Sequence, residues 1–325
     1  MTHLSNNPPP NPPHRHHYIP SFYLSRWATG TDGKLCQYSR PYDRIVPKRK
    51  YPSATGFAEK LYELRGLNND LANEIETKFF SPVDNAAADA LKLIEEQGNR
   101  TRWDSRCRTG WSMFLHSLLL RAPEDIAAFK DTWRYLLLSD DLGRWEERYQ
   151  EIRKAEDPKS FYEHLSNQSS DVHDRSAMSA LVHIMDGGKV AHAIYNMIWH
   201  IIDISGADFD FLTSDRPIIR TNGLLVEGGH LALPIGPRRL FVAARDKAAL
   251  RPILAMSHRQ LVRECNRQVC DYAVRFVYGA DDSQLDFVSK HQATKDQPRL
   301  AQASADQRRK IAAAMLAYSA KARPG

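Results

Sequence analysis

The sequence predicts an α+β fold, in which small mixed or antiparallel β elements from the N-terminal and C-terminal parts surround a central all-helical block. Two observations predict it. Apolar residues recur every three or four positions over roughly residues 68–203, as they do along one face of a helix. Short alternating segments bounded by Gly, Pro and Asp lie on both sides of that stretch. No internal repeat of about 20–50 residues is present, which argues against a solenoid.

The N-terminal part begins with a Pro-rich stretch, residues 1–13, that is typical of a disordered tail. Order is expected from His14, in the segment HRHHYIPSFYLSRW. Residues 34–39 alternate as a short strand after a Gly-Thr-Asp-Gly turn, and residues 44–46 are the candidate hairpin partner.

The central block predicts several helices, at 101–120, from Pro123 through Trp133 and on towards Tyr149, and at 158–167, 174–185 and 189–203. In the last of these, His192, Asn196 and His200 step by four and would share one face. Two histidines about 12 Å apart along a helix cannot easily share a metal ion. We therefore interpret this row as the polar seam of an apolar helix.

After Gly206 the pattern becomes β. Residues 208–220 alternate and turn at Thr-Ser-Asp-x-Pro, and further strands are predicted at 231–236, 238–244 and 275–278, with a helix at 257–274. One α+β domain is expected over 14–290, with the helical block as an insertion. Residues 291–325 would form a linker and an Ala-rich basic helix at about 304–321.

The charge of the chain is unevenly distributed. The 325 residues carry a formal charge of +6, and residues 1–60 contain nine basic against three acidic side chains. The remaining 36 basic and 36 acidic side chains balance, so the whole excess lies in the first fifth of the chain. A local cationic excess of this kind attracts polyanions such as nucleic acid.

The sequence argues against several functional classes of protein. No apolar run approaches the roughly 18–20 residues that cross a bilayer, so no membrane association is expected. No secretory signal is visible, and the four cysteines form no CxxC pair, which favours the cytoplasm. The motifs of P-loop NTPases, dinucleotide-dependent dehydrogenases, α/β-hydrolases and zincin proteases are missing.

The first candidate site segment is rich in histidine. His14, Arg15, His16 and His17 could supply a general base, a metal ligand or a phosphate contact. Because Pro20 favours extended backbone before it, only one of His16 and His17 can face a given cleft. The alternative is a solvated basic segment without a functional role.

The second candidate segment places Thr213, Ser214 and Asp215 at the end of a strand before Pro217. Such a strand end can project a carboxylate and two hydroxyls from a rigid edge. Asp215 could orient a histidine, bind a metal or accept a proton. The alternative is a turn in which its side chain caps its own backbone.

Two further residues stand out by position. Arg121 directly follows a very apolar helix, and is either an end cap or a buried anchor for a carboxylate or phosphate. Asn266 lies in the middle of a predicted helix, where Asn is unfavourable. It either holds a loop by a hydrogen bond or contacts a substrate.

Together these segments resemble a bacterial family of unknown function, DUF4238. His17-Tyr18-Ile19-Pro20 with Phe22-Tyr23-Leu24 is similar to its opening HxxPxxYL signature, and Phe211–Pro217 to its second signature. Arg121 with Pro123, the strand pair at 233–240 and the Asn266 helix before 275–278 resemble its other conserved features. The resemblance covers roughly residues 16–280. It implies a single intracellular domain in which His17 and Asp215 meet, and it implies no activity.

We therefore predict an enzyme acting on a phosphate-bearing or nucleic-acid substrate. His17 would be the general base or a ligand, Asp215 would orient it or share a divalent metal, and Arg121 would hold the anion. Substrate contacts are expected from the other side chains of these segments: His16, Tyr18, Thr213, Ser214 and Asn266. No other cofactor is evident, and the expected partner is nucleic acid or a nucleotide.

Two alternatives remain. The chain could be a non-catalytic module for nucleic acid or protein, in which Lys48-Arg49-Lys50 with Tyr42 and Tyr51 forms a basic patch with stacking aromatics. Alternatively, His17 and Asp215 could close the fold through a structural hydrogen bond.

Overall fold

The N-terminal segment is fixed to the chain some forty residues later. This computed structural model describes residues 15–64, 66–67, 73–139, 142–204, 206–221 and 223–296, without side chains at 134–144. In it, β1 (Arg15–His17) pairs antiparallel with β4 (Phe57–Glu59). Tyr18 and Ile19 donate their N–H groups to the Gly56 carbonyl before α1 (Ser21–Leu24) begins. Gly56 has φ +67°, and a Cβ there would lie 2.8 Å from the Ile19 carbonyl oxygen. Only glycine fits this approach. The tail at 1–13, His14 and the predicted helix at 304–321 lie outside the described residues.

One four-stranded sheet joins strands from the N-terminal and C-terminal parts of the chain. Its order is β3 (Val46–Lys50), β2 (Leu35–Ser39), β10 (Phe276–Gly279) and β6 (Thr213–Ser214), all antiparallel. The strand predicted at 34–39 is confirmed, but its partner covers 46–50 rather than 44–46. The alternation signal is weak there because β3 is an edge strand exposed on both faces, and such strands are commonly rich in lysine.

The helical block is confirmed in outline. A π-helical turn (Glu76–Phe80) leads into its helices, which are α2 (Ser81–Gln97), α3 (Ser105–Leu118), α4 (Pro123–Ser139), α5 (Leu142–Ile152), α6 (Phe161–Ser166), α7 (Ser170–Asp186) and α8 (Lys189–Asn196). Asp104, Ser160 and Ser169 cap three of them, each accepting a backbone N–H from the first turn. Gly110 of α3 lies directly against Ala86 of α2, which lets these two helices pack closely.

The helix predicted over 189–203 is wrong in its second half. The helix ends at Asn196, and β5 (Ile198–Asp203) forms six residue pairs with β9 (Arg239–Ala244). The stretch Ile-Trp-His-Ile-Ile fits a pleated surface as well as a helix, and pairing with β9 decides between them. His200 therefore lies on a strand, and the predicted polar seam with His192 and Asn196 does not exist.

The second sheet has the order β5, β9, β8 (His230–Gly236) and β7 (Ile219–Arg220), which confirms the strand pair predicted at 231–244. The strand predicted over 208–220 is reduced to the short pairings of β6 and β7. Residues before β6 bond elsewhere: Phe211 donates its N–H to the Pro237 carbonyl, and Leu212 donates to the Asn266 side chain.

The C-terminal part adds α9 (Lys247–Leu254), α10 (His258–Asp271) and α11 (Leu285–His291). Ser257 and Gln260 form a reciprocal capping box at the start of α10. The four cysteines, Cys36, Cys107, Cys265 and Cys270, are buried and free. Within the described part of the chain, no helix is both long and apolar enough to cross a membrane.

Candidate functional site

The two signature segments meet through the aromatic residues that follow His17. The Tyr23 hydroxyl donates to the Pro234 carbonyl at 2.7 Å, so the Thr213 hydroxyl, also at 2.7 Å, donates to Tyr23. Trp27 donates its indole N–H to the Phe211 carbonyl at 2.8 Å. These buried bonds join the first signature, the second signature and strand β8.

Arg121 is fully buried, and every N–H of its guanidinium faces an acceptor within the protein. Nε donates to the Tyr18 carbonyl at 2.9 Å and Nη2 to the His17 carbonyl at 3.1 Å. Both terminal nitrogens bind Asp84, at 2.8 and 3.1 Å, and Nη1 also donates to the Ser117 hydroxyl. A planar fork on a carboxylate is the geometry that arginine suits best. Because all of these N–H groups are bonded within the protein, Arg121 has no donor left to hold a substrate anion.

The residues that follow Arg121, at the junction between α3 and α4, contact the second signature. Asp125, at the start of α4, pairs with Arg216, and Glu124 lies 3.8 Å from the same guanidinium. Glu124 also forms an ion pair with Arg275, at 3.1 Å. The junction between α3 and α4 therefore contacts the first signature through Arg121 and the second through its two acidic residues.

Asp215 is a backbone anchor for the last strand. Its side chain is 4% exposed, and it accepts the N–H groups of Val274, Arg275 and Phe276 at 2.8, 2.6 and 3.0 Å. Burial raises the pKa of Asp215 to about 6, although these three donors and Arg216 act to lower it. The carboxylate holds the start of β10, and its acceptor positions face the backbone.

The predicted substrate contacts are also buried and bonded. His16 accepts the Tyr62 N–H at Nδ1, 2.9 Å away, so its Nε2 donates to Asn73 at 3.1 Å. Ser214 accepts the Arg216 N–H at 3.1 Å. Thr213 bonds Tyr23 as described above, and Asn266 bonds two loops described below.

His17 and Asp215 lie next to different charges. Burial, and after it Arg121, lowers the pKa of His17, while a hydrogen bond with the Ser53 backbone and the Asp84 charge raise it. Its Nε2 is buried without a hydrogen-bond partner among the described residues. The charge of Asp215 instead affects Tyr18. Burial is the main cause that raises the pKa of the Tyr18 phenol, and the Asp215 carboxylate raises it further. Because neighbours on an extended segment point to opposite sides, the segment presents Tyr18 rather than His17 to Asp215.

One further titratable residue lies near this junction. Glu76, on the π-helical turn, has a buried Oε2 without a hydrogen-bond partner in the described part of the chain. Burial raises its pKa to about 7, with Asp84 raising it further and Arg121 lowering it. The charges of Arg121 and Asp84 thus affect the pKa of both His17 and Glu76. We call His17, Glu76, Asp84 and Arg121 the junction cluster.

The sequence carried a signal for one part of this cluster. Arg121 after an apolar helix indicated a buried anchor for a carboxylate, and Asp84 in the first turn of α2 is that carboxylate. Glu76 gave no signal, because a charged residue on an amphipathic helix is ordinary until the fold buries it. Over the described ranges, no group of three or more His, Cys, Asp or Glu side chains is arranged to hold a metal ion.

The cationic N-terminal excess lies largely on the hairpin of β2 and β3. Tyr42 is 83% exposed and Tyr51 53% exposed, and the Lys34 ammonium lies 5.0 Å from the centre of the Tyr51 ring. Lys48 and Lys50 lie two positions apart on β3, so they point to the same side. We call residues 34–51 the basic hairpin.

Arg49 of the basic hairpin is engaged internally. Its guanidinium binds Asp32 at 2.6 Å and donates to the Ala280 carbonyl at 2.6 Å. In contrast, Lys48 and Lys50 form no ion pair with any described residue. Lys48 and Lys50 are therefore available to an external anion, whereas Arg49 is not.

Comparison with known proteins gives one match. A family model described as "Protein of unknown function (DUF4238)" matches residues 15–283, a range that includes both signatures, the Arg121 junction and the Asn266 helix. No curated protein and no solved structure matches the chain.

Proposed function

The chain belongs to the DUF4238 family of proteins of unknown function, and we propose that it binds single-stranded nucleic acid through the basic hairpin. The observation that carries this proposal is the Lys34–Tyr51 stack beside Lys48 and Lys50. An exposed aromatic ring offers a stacking surface to any base, and lysines beside it neutralise the phosphates. We also propose that the protein is bacterial, as the family resemblance implies, and cytoplasmic, for which the free buried cysteines are the supporting observation.

In this proposal the signature side chains form the frame that holds the hairpin. Tyr23, Arg121 and Asp215 are buried and bonded to other parts of the protein. Asp215 holds the start of β10, and β10 pairs with β2 of the hairpin over four residue pairs. Because the hairpin strands belong to this sheet, they are held in place before binding, which reduces the entropy lost on binding.

Fluorescence anisotropy with a labelled single-stranded oligonucleotide tests the proposal. Affinity should fall steeply between about 50 and about 200 mM salt, as expected when several phosphates are neutralised. The double variant Lys48→Glu/Lys50→Glu should weaken binding at least about tenfold and reduce the salt slope by about 2. Tyr51→Ala should weaken it about fivefold or more with an almost unchanged slope.

The matched control is Lys189→Glu/Lys247→Glu, which makes the same change in net charge at exposed positions on α8 and α9. It should change the affinity by no more than about twofold, because screening limits charges beyond about 10 Å. Equal losses in the two double variants would show that binding follows total charge, and the hairpin proposal would then be wrong. So would an absence of binding by the unmodified chain.

A second candidate function is an enzyme acting on a phosphate-bearing or nucleic-acid substrate at the junction cluster. The supporting observation is a carboxyl group with a pKa of about 7, Glu76, and a histidine whose pKa is lowered, His17, both of which feel the charges of Arg121 and Asp84. Near neutral pH such a pair can supply a general acid and a general base. Arg121 and Asp215 would then be positioning residues, since their polar atoms are bonded within the protein.

Incubation with labelled RNA, labelled DNA and a phosphate monoester tests this candidate. Turnover should fall at least about 100-fold in Glu76→Gln and in His17→Ala, with thermal midpoints within a few degrees of the unmodified chain. Turnover that persists in both variants would remove the junction cluster as the site. Loss of turnover with unfolding would instead support the structural alternative for His17.

A further inference from the structure

A cavity of about 420 Å³ lies between α10 and α11, and Asn266, which bonds the second signature segment, is one of the residues that line it. Its walls divide into two kinds of side chain. Phe209, Val262 and Phe287 form an apolar part, and Arg259, Arg263 and Lys290 form a cationic part. This volume lies in the range of about 300–1,000 Å³ that is usual for small-molecule sites.

The spacing of residues on α10 builds one wall. Arg259, Val262, Arg263 and Asn266 follow each other at intervals of three, one and three, so they share one helical face. Val262 and Asn266 are buried and form the floor, while the two arginines are exposed at the rim. A ligand in the cavity would therefore meet apolar surface below and guanidinium groups above.

The floor is held rigid by the amide of Asn266. Its Oδ1 accepts the Leu212 N–H at 2.8 Å, and its Nδ2 donates to the Asp210 carbonyl at 2.8 Å and to Gln284 at 2.9 Å. Gln284 also donates to the Asp210 carbonyl at 3.1 Å. One side chain thus joins α10, the segment before β6 and the start of α11, and the cavity between them is preformed.

The rim cations are not neutralised within the described part of the protein, where Arg259, Arg263 and Lys290 form no ion pair. Arg267, one turn further along α10, differs, because it binds Glu264 at 2.6 Å and Asp271 at 3.1 Å. Asp286 is the acidic side chain that lines the cavity. The rim therefore has an excess of positive charge that an anionic ligand would balance.

The aromatic rings give the apolar part a definite shape. Phe209 is 51% exposed, which is unusual for a large apolar side chain that lies beside a cavity. Phe287 packs against the His291 ring with centroids 4.7 Å apart, and His291 lies 3.4 Å from Asp271. His291 also lines the cavity, so its contact with Phe287 helps to hold a ring that can pack against a flat ligand.

We propose that this cavity binds a nucleoside monophosphate, with the phosphate at Arg259, Arg263 and Lys290 and the base against Phe209 and Phe287. Arginine forks match the oxygens of a phosphate, and aromatic rings take the face of a base. The site is separate from the basic hairpin, so it does not depend on the nucleic-acid proposal. It also gives Asn266 both of the roles considered for it, since this side chain holds a loop and lines the cavity.

Isothermal titration calorimetry with AMP tests the proposal, with adenosine, inorganic phosphate and decanoate as separate ligands. AMP should bind with a Kd below about 1 mM, and each of the other three should bind at least about tenfold more weakly, because each lacks the phosphate or the base. Arg263→Ala should weaken AMP binding at least about tenfold, and Phe209→Ala about fivefold. Both side chains are exposed, so the thermal midpoint should stay within a few degrees.

The matched control is Arg251→Ala, which removes an exposed arginine from α9 and should leave AMP affinity within about twofold. Lys48→Glu/Lys50→Glu should also leave it unchanged, which separates this cavity from the hairpin. An absence of AMP binding, or equal losses in Arg251→Ala and Arg263→Ala, would overturn the proposal. Inorganic phosphate or decanoate binding as tightly as AMP would overturn the assignment to a nucleotide.

Discussion

The hydroxyl oxygens of Tyr23 and Thr213 lie 2.7 Å apart although 190 residues separate them in the chain. Both side chains are fully buried, and the Tyr23 hydroxyl continues to the Pro234 carbonyl. A buried hydroxyl that lost its partner would remain unsatisfied, at a cost of about 1–3 kcal/mol. The pair therefore favours one arrangement of the N-terminal segment against the C-terminal half of the chain.

A double-mutant cycle measures how strongly this pair couples. Tyr23→Phe and Thr213→Val should each lower the free energy of unfolding by about 1–3 kcal/mol, because each leaves a buried polar atom without its partner. The double variant should lose about 0.5–1.5 kcal/mol less than the sum. Denaturant unfolding gives all four values. Tyr42→Phe, at an exposed position, should change stability by less than about 0.5 kcal/mol, and strict additivity in the cycle would contradict direct coupling.

The Arg121–Asp84 pair should be sensitive to removal of either partner. Arg121→Met and Asp84→Asn should each destabilise the protein by about 3–5 kcal/mol, since a buried charge then lacks its partner. Arg121→Lys keeps the charge but loses the fork, and should still cost about 2 kcal/mol or more. The control is Arg26→Met, whose pair with Glu95 is partly exposed and should contribute no more than about 1 kcal/mol. Similar losses in Arg26→Met and Arg121→Met would contradict the anchoring role.

Glu76 should make stability depend on pH near neutrality. The folded protein holds its proton up to a pKa of about 7, above the ordinary value of about 4.3, so folding is favoured more at low pH. This contribution is complete below about pH 4.3 and is lost as the pH rises through 7. Glu76→Gln should therefore raise the free energy of unfolding by about 1–2 kcal/mol at pH 8 and change it little at pH 4. Glu96→Gln, exposed on α2, controls for removal of a negative charge. A gain in Glu76→Gln that is equal at both pH values would show that titration is not its cause.

The four cysteines should react slowly while the protein is folded. Burial raises the pKa of the Cys36 thiol to about 11 and that of Cys265 to about 12, and it also raises the pKa of Cys107 and Cys270. Because the thiolate is the reactive form, an aromatic disulfide reagent should label fewer than about one thiol per chain in minutes without denaturant. In guanidinium chloride it should label all four. Rapid labelling of the folded chain would contradict the burial described for these residues.

Local sequence signals predicted the elements whose own residues determine them. Strands β8 and β9 are short apolar runs on either side of a Gly-Pro turn, and α10 carries apolar residues at helical spacing, so short segments predict both. Strand β5 was not found, because Ile198–Asp203 becomes a strand by pairing with β9, about forty residues later. A short apolar run of this kind carries no period that separates strand from helix.

The candidate site likewise combines features that local sequence predicts with features that depend on contacts between distant residues. The family resemblance predicts that the signature segments meet, and the position of Arg121 after an apolar helix predicts that it is buried or ends the helix. The pairing of Arg121 with Asp84, and the burial of Glu76 beside them, depend on contacts between α2 and the α3–α4 junction. Nothing within a few residues of either acid marks such a contact, so sequence reasoning assigned the acidic role to Asp215 alone.

The position of β3 at the edge of its sheet has a consequence for solubility. An edge strand presents unpaired N–H and C=O groups that can extend the sheet into a second molecule, and lysines on the edge prevent this by repulsion. Lys48 and Lys50 occupy that edge. Neutralising them, whether by acetylation or by a bound polyanion, would remove the repulsion between copies. The same two charges that we assign to nucleic acid would then also keep the protein monodisperse, and its tendency to aggregate should rise when they are acetylated.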